Sequence, residues 1–399
     1  MDKNICFLNS NDGSGLLAFG GGEIRSLKRT GAIDAMSEFI TKNKGLYVFL
    51  CLSYDLKNEI ENLSSNNVDL TAFPDLVMWC PECVVDIKNH DLVIVQGENN
   101  DQNLNFARQF LKSQVDSSID KKEITFESRI TKEVYLKKVN DLKRHIQRGD
   151  IYEINFCQEY FSQDIDIDCI KGIYFNVNET TKAPFSSYFK FGDFEIFCGS
   201  PERFIQKNDG RLIAQPIKGT ARRAKKPTED EELKRLLKLD PKERAENIMI
   251  VDLMRNDLSK IAKKRSVQVD ELCEIYSFET VHQMISTVSC VPKEGLSFTE
   301  ILKATFPMGS MTGAPKYRAM ELIEEYEDFK RGLYSGSIGY ISPNGDFDFN
   351  VVIRTMIYNA RLKTLSCSVG SAITINSIAE KEYEECGYKI QKIIDGICR

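Results

Sequence analysis

The order in which strand-like and helix-like stretches follow one another constrains this chain more than any other feature. From Thr131 onward, runs that read as strands occur at Ile151–Phe156, Phe194–Phe197, Leu212–Ala214, Ser337–Ile341, Asn350–Arg354 and Leu365–Val369. Helical patterns are interspersed at Glu229–Leu237, Pro241–Arg255, Pro315–Tyr326 and Ala379–Ile394. Strand follows strand too often for a regular β–α–β alternation, so the pattern predicts an α+β fold with many antiparallel pairings. The region opens on a helix with Val134, Val139, Leu142 and Ile146 on one face and Gly149 as its C-cap.

Residues 1 to about 125 alternate short apolar runs with polar turns, and Tyr47–Leu52 and Leu92–Val95 both read as buried strands. Leu104–Val115 reads as a helix and Asp116–Lys122 as a polar linker. The expected division is a β-rich N-terminal lobe over residues 1–125, intertwined with a larger domain over 126–399. The clusters Gly13–Gly15 and Gly20–Gly22 lead into no clear helix and give little support to a phosphate cradle.

The net charge of −6 argues against nucleic acid or an anionic membrane as the main partner. No apolar run approaches the ~20 residues that span a bilayer, and Met1–Asn4 lacks the layout of a signal peptide. A cytoplasmic location is expected. The twelve cysteines follow no disulfide framework, as expected of reduced thiols. Cys80 and Cys83 have metal-ligand spacing, but no second such pair accompanies them, so they read as packed thiols.

In Pro216-Ile-Lys-Gly-Thr220 a lysine stands between a proline and a glycine, after the apolar run Leu212–Ala214. This reads as a strand end turning sharply. An inward-facing Lys218 would lose hydration, which lowers an amine's pKa and favours the neutral nucleophile.

Two helices carry carboxylates three residues apart, hence on one face. One starts Asp240-Pro-Lys-Glu243 and carries Glu243 and Glu246; the other starts Ser377-Ile-Ala-Glu380 and carries Glu382 and Glu385, with Lys389 a turn further on. Acidic pairs on helices are ordinarily solvated, but if these faces converge they suit Mg²⁺ shared with an anionic ligand. The glycine-rich turn Gly309–Lys316 opens onto a helix whose free N–H groups favour a carboxylate or phosphate. Arg354 ends a strand and could grip a carboxylate bidentately, or form an ordinary salt bridge. Val369–Ile373 is a small-residue turn whose backbone could also approach an anion. The ensemble suggests a dianionic substrate with a metal at one end, Arg354 at the other and a lysine nearby.

Taken together, Gly149–Asn155, Gly199–Phe204, Pro216–Thr220, Ala245–Asp257, Phe306–Lys316 and Gly336–Tyr340 resemble the chorismate-utilising enzymes, in order and with matching spacing. That family includes anthranilate synthase component I, aminodeoxychorismate synthase component I and the isochorismate and salicylate synthases. The resemblance covers residues 130 to 397 and implies two β-sheets packed face to face with helices outside. Within the family, lysine in Pro-Ile-Lys-Gly-Thr is similar to the aminodeoxychorismate synthase branch; anthranilate synthases usually carry alanine there.

The resemblance implies Mg²⁺ held by Glu246 and Glu385, with Glu243 and Glu382 supporting. The metal would hold the ring carboxylate of chorismate, helped by backbone at Thr312 and Gly313. Arg354, Tyr340, Lys389 and the Gly370 backbone would hold the enolpyruvyl carboxylate, with Thr220 also at the substrate and His282 near the reacting ring face. Glu202 would protonate the departing C4 hydroxyl and Lys218 would attack C2. The implied activity converts chorismate and ammonia to 4-amino-4-deoxychorismate, on the route to 4-aminobenzoate and folate. The alternatives are amination at C2, as in anthranilate synthase component I, and a non-catalytic chorismate-binding protein.

Two departures stand out. Glu153 occupies a position that is commonly glutamine in the aminating enzymes and lysine in the hydroxylating ones, which counts against hydroxylation; a carboxylate there suits the receipt of ammonium. The usual Gly-Ala-Gly turn reads Gly370-Ser-Ala372. The Leu-Leu-Glu-Ser pattern that binds feedback tryptophan in many relatives is missing, as are a glutaminase nucleophile turn and a lyase signature. A separate glutamine amidotransferase subunit is therefore expected to deliver ammonia, and a separate enzyme to eliminate pyruvate.

Overall fold

A computed structural model describes residues 4–28, 30–112, 124–165 and 170–397. The expected linker Asp116–Lys122 and the end of the expected helix at Val115 lie outside the described residues. Among the described residues nineteen strands join into one hydrogen-bonded network, and every pair of strands runs antiparallel. The class is α+β, as the order of elements requires.

Alternation along the strands sorts side chains onto two faces. Cys6, Leu16 and Ala18 join Phe49, Trp79, Phe189, Ile196 and Ile338 in a core supplied almost entirely by strands. Their neighbours Phe7, Leu17 and Phe19 face the other way, into a core shared with the helices. The Trp79 and Phe189 rings lie 6.2 Å apart although their strands are not adjacent, so the sheet curls and its faces meet. The N-terminal strands are woven into the rest: Asn4–Asn9 pairs with Phe185–Phe191, and Val48–Leu52 with Ser337–Ile341.

Local signals hold at most element ends. Thr131 caps the helix Lys132–Arg148 and Gly149, at φ 85°, closes it. Asp240 accepts hydrogen bonds from the N–H groups of Lys242 and Glu243 and starts the helix Pro241–Ile261. The Ser377 hydroxyl instead turns back to Thr374 N–H and Ala372 O. Two expectations of burial differ. Asp91–Gln96 is a half-exposed strand, with Val93 56% exposed, because among the described residues it pairs only with Leu76–Lys88. On Lys132–Arg148 the buried face is Tyr135, Val139, Leu142 and His145, and Val134 is exposed. Cys80 and Cys83 are buried free thiols, as read from their isolation. Among the described residues no helix is long and apolar enough to cross a membrane.

Three strands bring the chemistry-bearing residues together. Glu153–Ser162 pairs along one edge with Thr364–Ile373 and at its start with Gly313–Ala314. Ile217–Arg222 pairs with Val281–Cys290 and lies under the helix Pro241–Ile261. The helix Ala379–Ile397 packs on Thr364–Ile373.

Candidate active site

Lys218 reaches inward from its strand and places Nζ 2.9 Å from Glu153 Oε1. The Lys218 side chain is 12% exposed and that of Glu153 is 1% exposed. Burial pulls the lysine's pKa down, but Glu153, Glu246 and Glu202 together outweigh it, and the net shift is upward. The expectation of a neutral amine is thus corrected. Desolvation is present, yet the surrounding carboxylates hold the ammonium form in the resting protein. Glu153 Oε2 is buried with no hydrogen-bond partner. The ammonium that Glu153 receives here is the protein's own.

Glu202 follows the strand Phe194–Ser200 and is buried. Ser310 Oγ donates to its Oε1 at 2.7 Å. Burial pushes the carboxyl up to about 7, against the opposing effects of Ser310 and Lys218. A carboxylic acid that still carries its proton near neutrality is suited to protonate a leaving hydroxyl. Ser310 escaped the sequence reading, although it lies in the glycine-rich turn already singled out.

Arg354 sits at positive φ (52°) just before the strand Thr355–Asn359. Burial lowers its pKa, with Glu202 the one opposing charge. Among the described residues none forms an ion pair with it, so the ordinary salt bridge is not what it makes. A half-buried guanidinium without an ion pair is a ready partner for a substrate carboxylate.

The two acidic helices do face one another. Lys242 lies within the field of Glu246, Glu382, Glu243 and Glu385, and their combined charge raises its pKa despite burial. Burial drives Glu246 up to about 7, and its Oε1 is buried without a hydrogen-bond partner. Burial also raises Glu243. For Glu385 the pull of Lys389, 2.6 Å away, overcomes burial and brings the net shift down. Among the described residues no three His, Cys, Asp or Glu groups stand close enough to enclose an ion. Among the described residues Glu246 Oε1 has only Lys242 Nζ near it, at 3.7 Å, and with the surplus of negative charge it fits a hydrated cation that completes its shell with an anionic ligand.

Glycines set the close approaches. Gly219 adopts φ 93°, which strains any other residue, and a Cβ there would stand a tight 3.1 Å from Glu243 Oε2. A Cβ on Gly313 would stand 2.2 Å from the Glu153 carbonyl oxygen, so the glycine-rich turn lies directly on the Glu153 strand. Thr312 is fully buried, its hydroxyl bonded to Met308 O and Gly309 O and its carbonyl to Asn155 N–H. Lys389 donates to Gly370 O at 2.8 Å.

The pattern of the family described as chorismate binding enzyme matches residues 15–395. This chain belongs to that family. Over 347 residues it is 35% identical to aminodeoxychorismate synthase component 1 of Escherichia coli (strain K12), covering 86% of this chain and 74% of that one. Over 258 residues it is 42% identical to the chloroplastic aminodeoxychorismate synthase of Arabidopsis thaliana, which takes in 64% of this chain but only 28% of that longer protein. The crystal structure of anthranilate synthase component I from Streptococcus pneumoniae TIGR4 aligns at a TM-score of 0.79 and 27% identity, over 99% of this chain and 91% of that one.

Not every residue expected at the chorismate site of this enzyme is brought there. Tyr340 packs against Tyr47 and Phe49 and lines a separate cavity of about 740 Å³ with Arg203 and Asp348; no other expected site residue lines it. Its side chain shares the face of Ile338 and packs against the core supplied by strands. The tyrosine on the site's side is Tyr334, whose hydroxyl lies 3.9 Å from Cys157 Sγ, opposite Gly370. His282 is buried with both ring nitrogens engaged, one with Asp230 Oδ1 at 3.0 Å and the other with Ser277 Oγ at 2.9 Å. It ties the helix Pro227–Leu239 to the end of the strand Gln268–Ser277 and offers no free nitrogen to a ring. Thr220 is exposed beyond the bulge that follows Ile217.

Proposed function

We propose that this chorismate-utilising enzyme acts as aminodeoxychorismate synthase component I, converting chorismate and ammonia to 4-amino-4-deoxychorismate through a covalent bond to Lys218. The observation that carries this reading is a largely enclosed lysine amine, paired with Glu153 and lying in the field of a buried carboxylic acid, Glu202, whose pKa is pushed up to about 7. A protein that only binds chorismate needs neither group, and amination at C2 needs no lysine.

In the first displacement Nζ of Lys218, as the free amine, bonds to C2. The ring double bonds shift and the C4–O bond breaks. The hydroxide leaves as water with the proton of Glu202. In the second, ammonia bonds to C4, the double bonds shift back and the C2–N bond breaks, which frees Lys218. Covalent catalysis divides one difficult substitution into two easier ones. Arg354 holds a substrate carboxylate at the far end, and Lys389, already on the Gly370 carbonyl, adds a second positive charge. Glu246 and Glu385, supported by Glu243 and Glu382, would hold Mg²⁺, which when bound supplies positive charge for the ring carboxylate.

This reading places the protein in the cytoplasm, in 4-aminobenzoate and folate formation, with ammonia from a separate glutamine amidotransferase subunit. The test is product analysis with chorismate, Mg²⁺ and ammonium, with and without a pyruvate-eliminating lyase. The expected product becomes 4-aminobenzoate only when the lyase is present, and nothing forms without Mg²⁺. Fluorescent anthranilate formed without the lyase would overturn the reading.

A further inference from the structure

Glu153 and the resting charge of Lys218 raise a question that the displacement scheme leaves open. An ammonium has no lone pair, so Lys218 must lose a proton before it can bond to C2. The amine is nearly enclosed, with 12% of its side chain exposed, so its neighbours are the natural destination. The charged groups acting on it are Glu153 from one strand, Glu202 from the turn at 201–202, Glu243 and Glu246 from the helix Pro241–Ile261, and Glu385 from the helix Ala379–Ile397. Glu202 is committed to the leaving hydroxyl, and the helical carboxylates to the cation. Among the described residues only Glu153 forms an ion pair with Nζ, at 2.9 Å, and its second oxygen is buried without a hydrogen-bond partner.

We propose that Glu153 is the proton acceptor for Lys218: it takes the ammonium proton as substrate fills the cleft, and returns it when the amine is expelled. The inference rests on the lysine mechanism above. Its balance is closed. Lys218 ammonium and Glu153 carboxylate become amine and carboxylic acid. The amine bonds to C2 as a secondary ammonium, and Glu202 gives its proton to the departing hydroxide. When ammonia bonds to C4, the C2–N bond breaks, Lys218 leaves as the neutral amine and Glu153 gives its proton back. The ammonium now on C4 returns a proton to Glu202. Exclusion of water favours the transfer, because two neutral groups are less costly than an ion pair in a site of low polarity. A glutamine at this position could not accept the proton.

The test compares kcat for 4-amino-4-deoxychorismate formation in wild type, Glu153→Gln and Glu153→Asp across pH, with ammonium saturating. Taking the ratio to wild type cancels the titration of Glu202 and of ammonium. With Glu153→Gln, Lys218 must lose its proton to bulk water, so the deficit should be on the order of 100-fold near neutrality and shrink about tenfold per pH unit. Glu153→Asp keeps the acceptor and should show a deficit that does not change with pH. A Glu153→Gln deficit constant across pH would mean that Glu153 only holds Lys218 in place, and an unchanged rate would mean that it plays no part; either overturns the proposal. If wild type itself makes anthranilate, the functional reading fails first, and the product alone shows it.

Discussion

Replacing Lys218 by alanine removes one side of a buried pair and strands the other. Glu153 is 1% exposed, Oε1 has Lys218 as its partner and Oε2 has none, so the variant leaves a carboxylate without a hydrogen bond on either oxygen. Removing one member of a buried ion pair costs about 3–5 kcal/mol. At roughly 2 °C per kcal/mol for a large domain, the melting temperature should fall by about 6–10 °C. The cause is specific, and the double mutant isolates it. Adding Glu153→Gln to Lys218→Ala replaces the stranded charge by a neutral amide of the same shape, and should restore most of the loss. Thermal melts of wild type, both single mutants and the double mutant complete the cycle. A Lys218→Ala protein that melts with wild type, or a deficit that Glu153→Gln leaves untouched, would refute the reasoning.

Glu202 gives a pH dependence of definite sign. Its folded pKa of about 7 lies above the ordinary carboxyl range, so the acid form is present below that value and lost above it. The chemical step should therefore slow about tenfold per unit above pH ~7. Ser310→Ala removes a hydrogen bond that lowers this pKa, and should move the falling limb to higher pH. A kcat that is flat across the neutral range would contradict the assignment. Arg354→Met should raise KM for chorismate by about 10- to 100-fold, the worth of a charged hydrogen bond of ~1.5–3 kcal/mol. Because the guanidinium is half-buried without an ion pair, its loss should leave the melting temperature unchanged or higher. An unchanged KM, or a clear loss of stability, would show that Arg354 serves the fold instead.

Much of this site is legible in the sequence because its signals are local. Asp240 and Gly149 announce helix ends through their own side chain or lack of one, and both cap as expected. The carboxylates spaced by three had to share a helical face. Lys218, expected at a sharp turn, lies instead within the strand Ile217–Arg222, which pairs with Val281–Cys290 on both sides of it. What failed to show depends on strands that meet only in the fold. The protonation of Lys218 is set by Glu153, Glu246 and Glu202, which arrive from three separate elements. Tyr340 is carried away from the other expected residues by the strand Ser337–Ile341, whose pairing with Val48–Leu52 no spacing announces. The apolar run at Leu92–Val95 looked buried because its sequence does not reveal that half of it is left uncovered. His282 is committed by Asp230 and Ser277, whose approach no spacing announces.

The claim that Lys218 decides which ring carbon is aminated is tested most directly by the products of Lys218→Ala. Chorismate, Mg²⁺ and ammonium are supplied, the lyase is added in a parallel tube, and aromatic amines are separated from both. The variant should yield no 4-aminobenzoate in either tube, and any amine it does form should be anthranilate. Wild-type yields of 4-aminobenzoate from Lys218→Ala would contradict the claim and remove the lysine from the mechanism.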